Sequence, residues 1–303
     1  MVVLPEALGP DIHDADGARE HGWTLGHRHR LRQALIATDL DRTMIYSRNA
    51  FSTTAEVPTV CVEHLEGAPL SFMTTAAALR MQTLTQPAAV IPTTTRTIKQ
   101  FNRIQLPGAP WRYAVTSNGG NILVDGVADM RWRIDIDAKV RASGATLSEV
   151  SAELRSRVDD SWVSKFRIAD HLFCYLVVKP KAVPDGFLAE WGEWCRERGW
   201  SASQQGRKIY TMPNAVCKSY AVAEVRRRLL ESGELAESAR TLAAGDGALD
   251  AEMLRAADSA IRPRHGELEQ LNWTSPNLTV TRATGILAGE EIVDWFIDSA
   301  PAE

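Results

Sequence analysis

The chain has 303 residues, 45% of them apolar and 24% charged, with a net charge of -4. That is enough chain for two compact units with cores of their own, and the composition excludes a fibrous or wholly disordered protein. The mildly acidic balance offers no broad basic stripe, so nucleic acid is not an expected partner, and a small anionic ligand needs only local positive charge.

Residues 1–33 are polar and without a clear period, and they read as an extension in front of the folded part. Asp11, His13, Asp14, Asp16, Arg19 and Glu20 interrupt any signal-peptide core. His27 and His29 lack further ligands nearby and read as part of a solvated basic run. No run of about 18 apolar residues occurs anywhere, so no membrane contact is expected. The four cysteines, Cys61, Cys174, Cys195 and Cys217, are scattered without a C-x-x-C pair. A cytoplasmic protein with reduced thiols is the simplest expectation.

A strand-then-helix rhythm begins at the apolar run Ala34-Leu35-Ile36-Ala37, which is followed by Asp39-Leu40-Asp41-Arg42-Thr43. Between Thr59 and Thr74, Val60, Val62, Leu70 and Phe72 flank Gly67-Ala68-Pro69, a hairpin pattern that suits either a flap over a site or peripheral structure. Ala88-Ala89-Val90-Ile91 is a second strand, stopped at Pro92 and followed by Thr93-Thr94-Thr95-Arg96. After Lys218, the spacing of Val222, Val225 and Leu229 predicts an amphipathic helix. Thr241-Leu242-Ala243-Ala244 is a third strand, and Gly245-Asp246-Gly247 follows it. Met253, Leu254 and Ala257 predict a helix after Asp250; 278–282 reads as a strand, and 290–296 as a helix. Polar clusters at the ends of three strands are what a parallel sheet needs to assemble one site from distant segments.

From about Tyr113 to Arg207 the rhythm changes. Residues 121–124, 132–136, 162–168 and 172–178 read as strands, and 147–158 and 187–198 as helices, an order that does not alternate as βαβ units. An inserted α+β domain over 113–207 is expected, with the catalytic core in 34–112 and 208–303. Six of the nine tryptophans lie in 111–200, where packing an independent core is a better use for them than stacking on a substrate.

The D-x-D-x-T spacing puts two carboxylates at the carboxyl end of a buried strand. A carboxylate can attack phosphorus and carry a phosphoryl group, provided a cation neutralises the site and a second acid handles the leaving group's proton. Taken together, Asp39 to Thr43, Thr94-Thr95-Arg96 after a strand, Lys218 opening a helix and Gly245 to Asp250 resemble the four motifs of the haloacid dehalogenase superfamily of phosphohydrolases. The stretch 113–124, with its Ser117-Asn118-Gly119-Gly120 turn, is similar to the core-to-cap crossing of the subgroup that contains Cof-type and sugar-phosphate phosphatases.

The resemblance implies a Rossmann-like α/β core with a mainly parallel sheet and an inserted α+β cap of the C2 type. It implies a magnesium-dependent phosphatase acting on a small phosphorylated metabolite, with a sugar phosphate favoured. Asp39 is then the nucleophile and Asp41 the acid and base. Thr94, Thr95, Arg96 and Lys218 meet the substrate; Thr94 is chosen over Thr93 and Thr95 as the phosphoryl contact because the family places its Ser/Thr two before a basic residue. Magnesium falls to Asp39, Asp41 through its backbone carbonyl, Asp246 and Asp250. Lys165, Arg167, Arg207 and Lys208 are further candidates for anionic groups. A phosphosugar mutase, or a silent binding protein of the same fold, are the competing readings. Two departures stand out: Arg42 replaces a glycine, and Leu249 replaces a polar residue.

Overall fold

The computed structural model describes residues 31–54 and 56–300, so most of the extension expected over 1–33, including His27 and His29, lies outside the described residues. Short 3-10 turns aside, the chain starts with β1 (Arg32–Thr38), a hairpin of β2 (Thr59–Leu65) and β3 (Ala68–Thr74), α1 (Thr75–Leu84), β4 (Ala88–Pro92) and α2 (Ile98–Phe101). Next come β5 (Tyr113–Thr116), β6 (Asn121–Val124), β7 (Val127–Ala128), α3 (Met130–Ser143), α4 (Leu147–Ser156), β8 (Val163–Ala169), β9 (Phe173–Val178), α5 (Phe187–Arg196), β10 (Trp200–Gln205) and β11 (Lys208–Pro213). The chain continues through α6 (Lys218–Glu231), β12 (Leu235–Ala244), α7 (Ala251–Ala256), β13 (Ser259–Arg262), α8 (Glu267–Gln270), β14 (Leu278–Val280) and α9 (Ile286–Ser299).

A five-stranded sheet in the order β14-β13-β12-β1-β4 is parallel throughout. The stretches 34–37, 88–91 and 242–244, in β1, β4 and β12, are apolar and buried because both faces are covered there. Leu35, Ala37, Ala89, Ile91 and Ala243 join one core cluster with residues of α6 and α7, while Ala34, Ile36, Val90, Leu242 and Ala244 join a second with residues of α1 and α9. The expected helix on Val222, Val225 and Leu229 is α6, which buries all three.

A four-stranded antiparallel sheet, β10-β11-β9-β8, forms the inserted part with α3, α4 and α5. Its last strand, β11, carries that sheet past residue 207 to Pro213. Trp132, Trp162, Trp191 and Trp200 are buried, as core packing requires. The two connections between core and insertion cross at Gly119, where a Cβ would meet the Cys217 carbonyl oxygen at 2.2 Å and φ is 99°. Only glycine satisfies both conditions.

The strand expected over Trp132 to Ile136 is instead the start of α3. Trp132, Ile134 and Ile136 alternate as a strand would, yet Ile134 is exposed while Trp132 and Ile136, one helical turn apart, are buried. Asp129 fixes the outcome locally by accepting from the backbone amides of Arg131 and Trp132, a helix N-cap.

Candidate active site

Strand register decides what meets what. Thr38 pairs with Ala244 on one side and with Pro92 on the other, so Asp39, Thr93 and Gly245 leave three adjacent strands together. The ladder continues by one residue each way, with the Asp39 amide donating to the Ala244 carbonyl at 2.9 Å and the Thr93 amide to that of Thr38 at 2.8 Å. Because β4 and β12 flank β1 on opposite sides, this edge is a topological switch point, the place where open α/β sheets hold ligands.

Lys218, the first residue of α6, is buried and reaches this edge. Its Nζ donates to Asp39 Oδ1 at 2.5 Å and to Asp250 Oδ1 at 2.6 Å. Asp250 Oδ2 accepts from the Gly247 amide, which closes the loop after β12 into one turn. Gly245 is required there, since a Cβ would meet Asp250 Cγ at 2.4 Å. Asp39, Asp246 and Asp250 are all buried, and each offers an oxygen within 4.8 Å of the others.

Three buried acids face one ammonium. Burial pushes Asp39 from 3.8 up to about 7, against the attraction of Lys218 and with the help of Asp250 and Asp41. Asp246 is raised well above its ordinary value by burial and then by Asp39 and Asp250. Burial disfavours the Lys218 ammonium, but Asp250 and Asp39 more than offset it and hold it charged. Three hard oxygen donors, more acids than the cations beside them, fit a divalent cation such as magnesium.

Asp41 stands apart from this cluster. Arg96 grips its carboxylate through two bonds of 2.7 Å, Nε to Oδ2 and Nη2 to Oδ1. Burial works to raise Asp41, but the guanidinium overrides it and holds the carboxyl down to about 2. Arg96 also donates to Glu63 Oε1 at 2.7 Å, and Glu63 accepts further from Ser71 and Arg103. The hairpin therefore reaches the site through Glu63, a buried acid on β2. Sequence reading missed it because one acid in a short amphipathic strand reads as solvent-facing.

The three threonines separate by their bonds. Thr93 Oγ1 donates to the Ile91 carbonyl, Thr94 Oγ1 accepts from the Arg96 amide at 3.1 Å, and Thr95 Oγ1 lies 3.5 Å from the Tyr210 hydroxyl. Tyr210 and Tyr175 come from the antiparallel sheet and flank Lys208, whose Nζ is 5.8 Å and 5.7 Å from their ring centroids. Glu267 ties the same sheet to the loop after β12, accepting from the Ala248 amide at 2.8 Å and from Ser203 Oγ at 3.0 Å. Neither tyrosine nor Glu267 had a signal in the sequence, because each contact joins residues far apart in the chain. Leu249 is partly buried and packs on the main core cluster, which accounts for an apolar side chain there.

At the level of sequence, comparison with protein-family models gives no match, and comparison with curated proteins gives none either. Solved structures do match. Sucrose-phosphatase from Synechocystis, in complex with sucrose and phosphate, aligns with a TM-score of 0.61 at 15% identity, over 88% of this chain and 99% of that one. A Thermoplasma acidophilum protein aligns at 0.55 and 14% identity, over 88% and 99%. A subclass IIB sugar phosphatase of the haloacid dehalogenase superfamily aligns at 0.52 and 11% identity, over 87% and 98%. The parallel core, the inserted antiparallel sheet and these alignments agree: the chain has the haloacid dehalogenase fold, an α/β core carrying an α+β cap.

Proposed function

We propose that the protein is a magnesium-dependent phosphatase that hydrolyses a small phosphorylated metabolite, with a sugar phosphate favoured. One observation carries this reading: Asp39, Asp246 and Asp250, from segments far apart in the chain, converge with Lys218 at the carboxyl edge of the sheet. The charge excess there suits a site that receives a cation and then a phosphate monoester, whose two negative charges the acids alone would repel.

In this reading Asp39 attacks phosphorus in line and carries the phosphoryl group as an aspartyl-phosphate. Lys218 orients Asp39 and offers positive charge to the phosphoryl oxygens. Magnesium would be held by Asp39, Asp246 and Asp250, with the Asp41 carbonyl as the family resemblance has it, and would supply neutralising charge. Asp41 gives its proton to the departing alkoxide and then takes one from the water that attacks the aspartyl-phosphate, which releases inorganic phosphate and restores the Asp39 carboxylate. The grip of Arg96 keeps Asp41 ionised, so that pair opens before Asp41 carries a proton, and Arg96 is then free to meet the substrate. Thr94 and Thr95 border the phosphoryl position. Lys208 with Tyr175 and Tyr210 forms the cap's face toward the leaving group. Aromatic rings beside a cation suit a polyhydroxylated or anionic group. The Synechocystis sucrose-phosphatase, which has the same fold, supports a sugar as the leaving group.

The test is a screen of phosphorylated metabolites for released phosphate, with and without magnesium, run beside Asp39→Asn. Activity in the native protein and a fall of at least about 10⁴-fold in the variant, with circular dichroism unchanged, are expected. Turnover retained by Asp39→Asn removes the nucleophile from the mechanism. Accumulation of a sugar bisphosphate in place of free phosphate favours a phosphomutase.

A further inference from the structure

Arg42 occupies the position where the resemblance expects glycine, and its backbone shows the reason for that glycine: φ is 63°, in the left-handed region. The strained turn is held firmly. The Arg42 amide donates to the Ile45 carbonyl at 2.8 Å, and its carbonyl lies 2.8 Å from His265 Nε2. His265 Nδ1 accepts from the Gly285 amide, so Nε2 carries the ring proton and donates to Arg42.

That turn points the guanidinium at the acid cluster. Arg42 Nε lies 3.5 Å from Asp246 Oδ2. A half-exposed arginine beside a carboxylate is ordinarily a weak pair. Asp246 is a different partner, because its side chain is only 11% exposed and, among the described residues, its carboxylate pairs with Arg42 alone. Asp39 and Asp250 share Lys218, whereas Asp246 has no contact with it. The oxygen that faces Arg42, Asp246 Oδ2, lies close to Gly266, where a Cβ would come within 2.5 Å of it. A cation approaching the cluster and the Arg42 guanidinium therefore compete for the same carboxylate.

We propose that Arg42 is the resident counter-charge of Asp246, a positioning residue that a divalent cation must displace in order to bind. The inference rests on Asp39, Asp246 and Asp250 being the cation's ligands. It gives the arginine a role in this turn: its guanidinium is the one cation within 4 Å of the Asp246 carboxylate among the described residues.

The test is magnesium titration by isothermal calorimetry, without substrate, on the full chain and on Arg42→Gly, Arg42→Asn, Arg42→Lys and Asp246→Asn. Glycine and asparagine both tolerate the left-handed backbone and both remove the charge. They are expected to bind magnesium about tenfold more tightly than the native protein, the order of effect of removing one nearby positive charge. Arg42→Lys, which keeps the charge, is expected to stay near the native affinity. Equal or weaker binding in the Gly and Asn variants overturns the proposal and leaves the ligand assignment standing, provided Asp246→Asn abolishes binding. Tighter binding in the Gly variant alone would assign the effect to backbone strain and overturn the proposal. Absence of any binding that depends on Asp246 overturns the proposal and the ligand assignment together.

Discussion

Two acidic clusters lie side by side at the carboxyl edge of the sheet and differ in how their charge is met. Around Asp41, each carboxylate has a guanidinium: Arg96 binds Asp41 with two bonds and shares Glu63 with Arg103. Both acids are held below their ordinary range, where burial is overridden by the arginines. Around Lys218, three acids share one ammonium and the partly exposed Arg42, and burial leaves Asp39 and Asp246 raised. One cluster is satisfied by the protein itself. The other holds more acids than cations, and in the proposed function a metal ion makes up the difference.

The largest break in this contrast comes from Lys218→Met. It leaves Asp39 and Asp250 buried without their shared cation, and urea denaturation is expected to show a loss of about 3–5 kcal/mol. Added magnesium should recover part of that loss in the variant. An equal loss with and without the metal would show that the cation does not enter this cluster.

A pH series sharpens the contrast next. A carboxyl raised from 3.8 to about 7 contributes stability that is complete below about pH 4 and is lost as pH rises through about 7. Asp41, lowered to about 2, behaves in the opposite sense and contributes stability that is lost as pH falls below about 4. Metal-free protein is therefore expected to weaken by roughly 2–4 kcal/mol between pH 5 and pH 8. Thermal unfolding would show this as a falling midpoint. Magnesium should flatten the profile, and an unchanged slope would count against a cation at Asp39.

The smallest change is expected from Glu63→Gln on the hairpin. Glu63 is fully buried and accepts from Ser71, Arg96 and Arg103, so removing its charge should cost about 1–3 kcal/mol in chemical denaturation. Magnesium affinity should stay at the native value, because this acid belongs to the satisfied cluster. A large change in that affinity would show that the two networks are one.

Much of the core was legible in the chain. The runs 34–37, 88–91 and 242–244 lie in strands where burial on both faces calls for apolar residues, and α6 follows the spacing of its buried stripe. The inserted part was less legible. Trp132 to Ile136 alternates like a strand but forms a helix under the Asp129 cap, and β10, Trp-Ser-Ala-Ser-Gln-Gln, carries little apolar signal. Its strand character comes from pairing with β11, which local sequence does not reveal.

The sequence alone determined which acids stand at strand ends, because apolar periodicity and chain order are local properties, and it set Asp39, Lys218, Asp246 and Asp250 in the sequence order of one known family's motifs. Only the tertiary structure decided how their charges are shared. That Asp41 belongs to Arg96 and Glu63, that Lys218 serves Asp39 and Asp250, and that Asp246 is left to Arg42 all depend on strand register and on side chains brought together from distant segments. Coulomb energy depends on separation in space and on burial, and neither can be read from position along the chain.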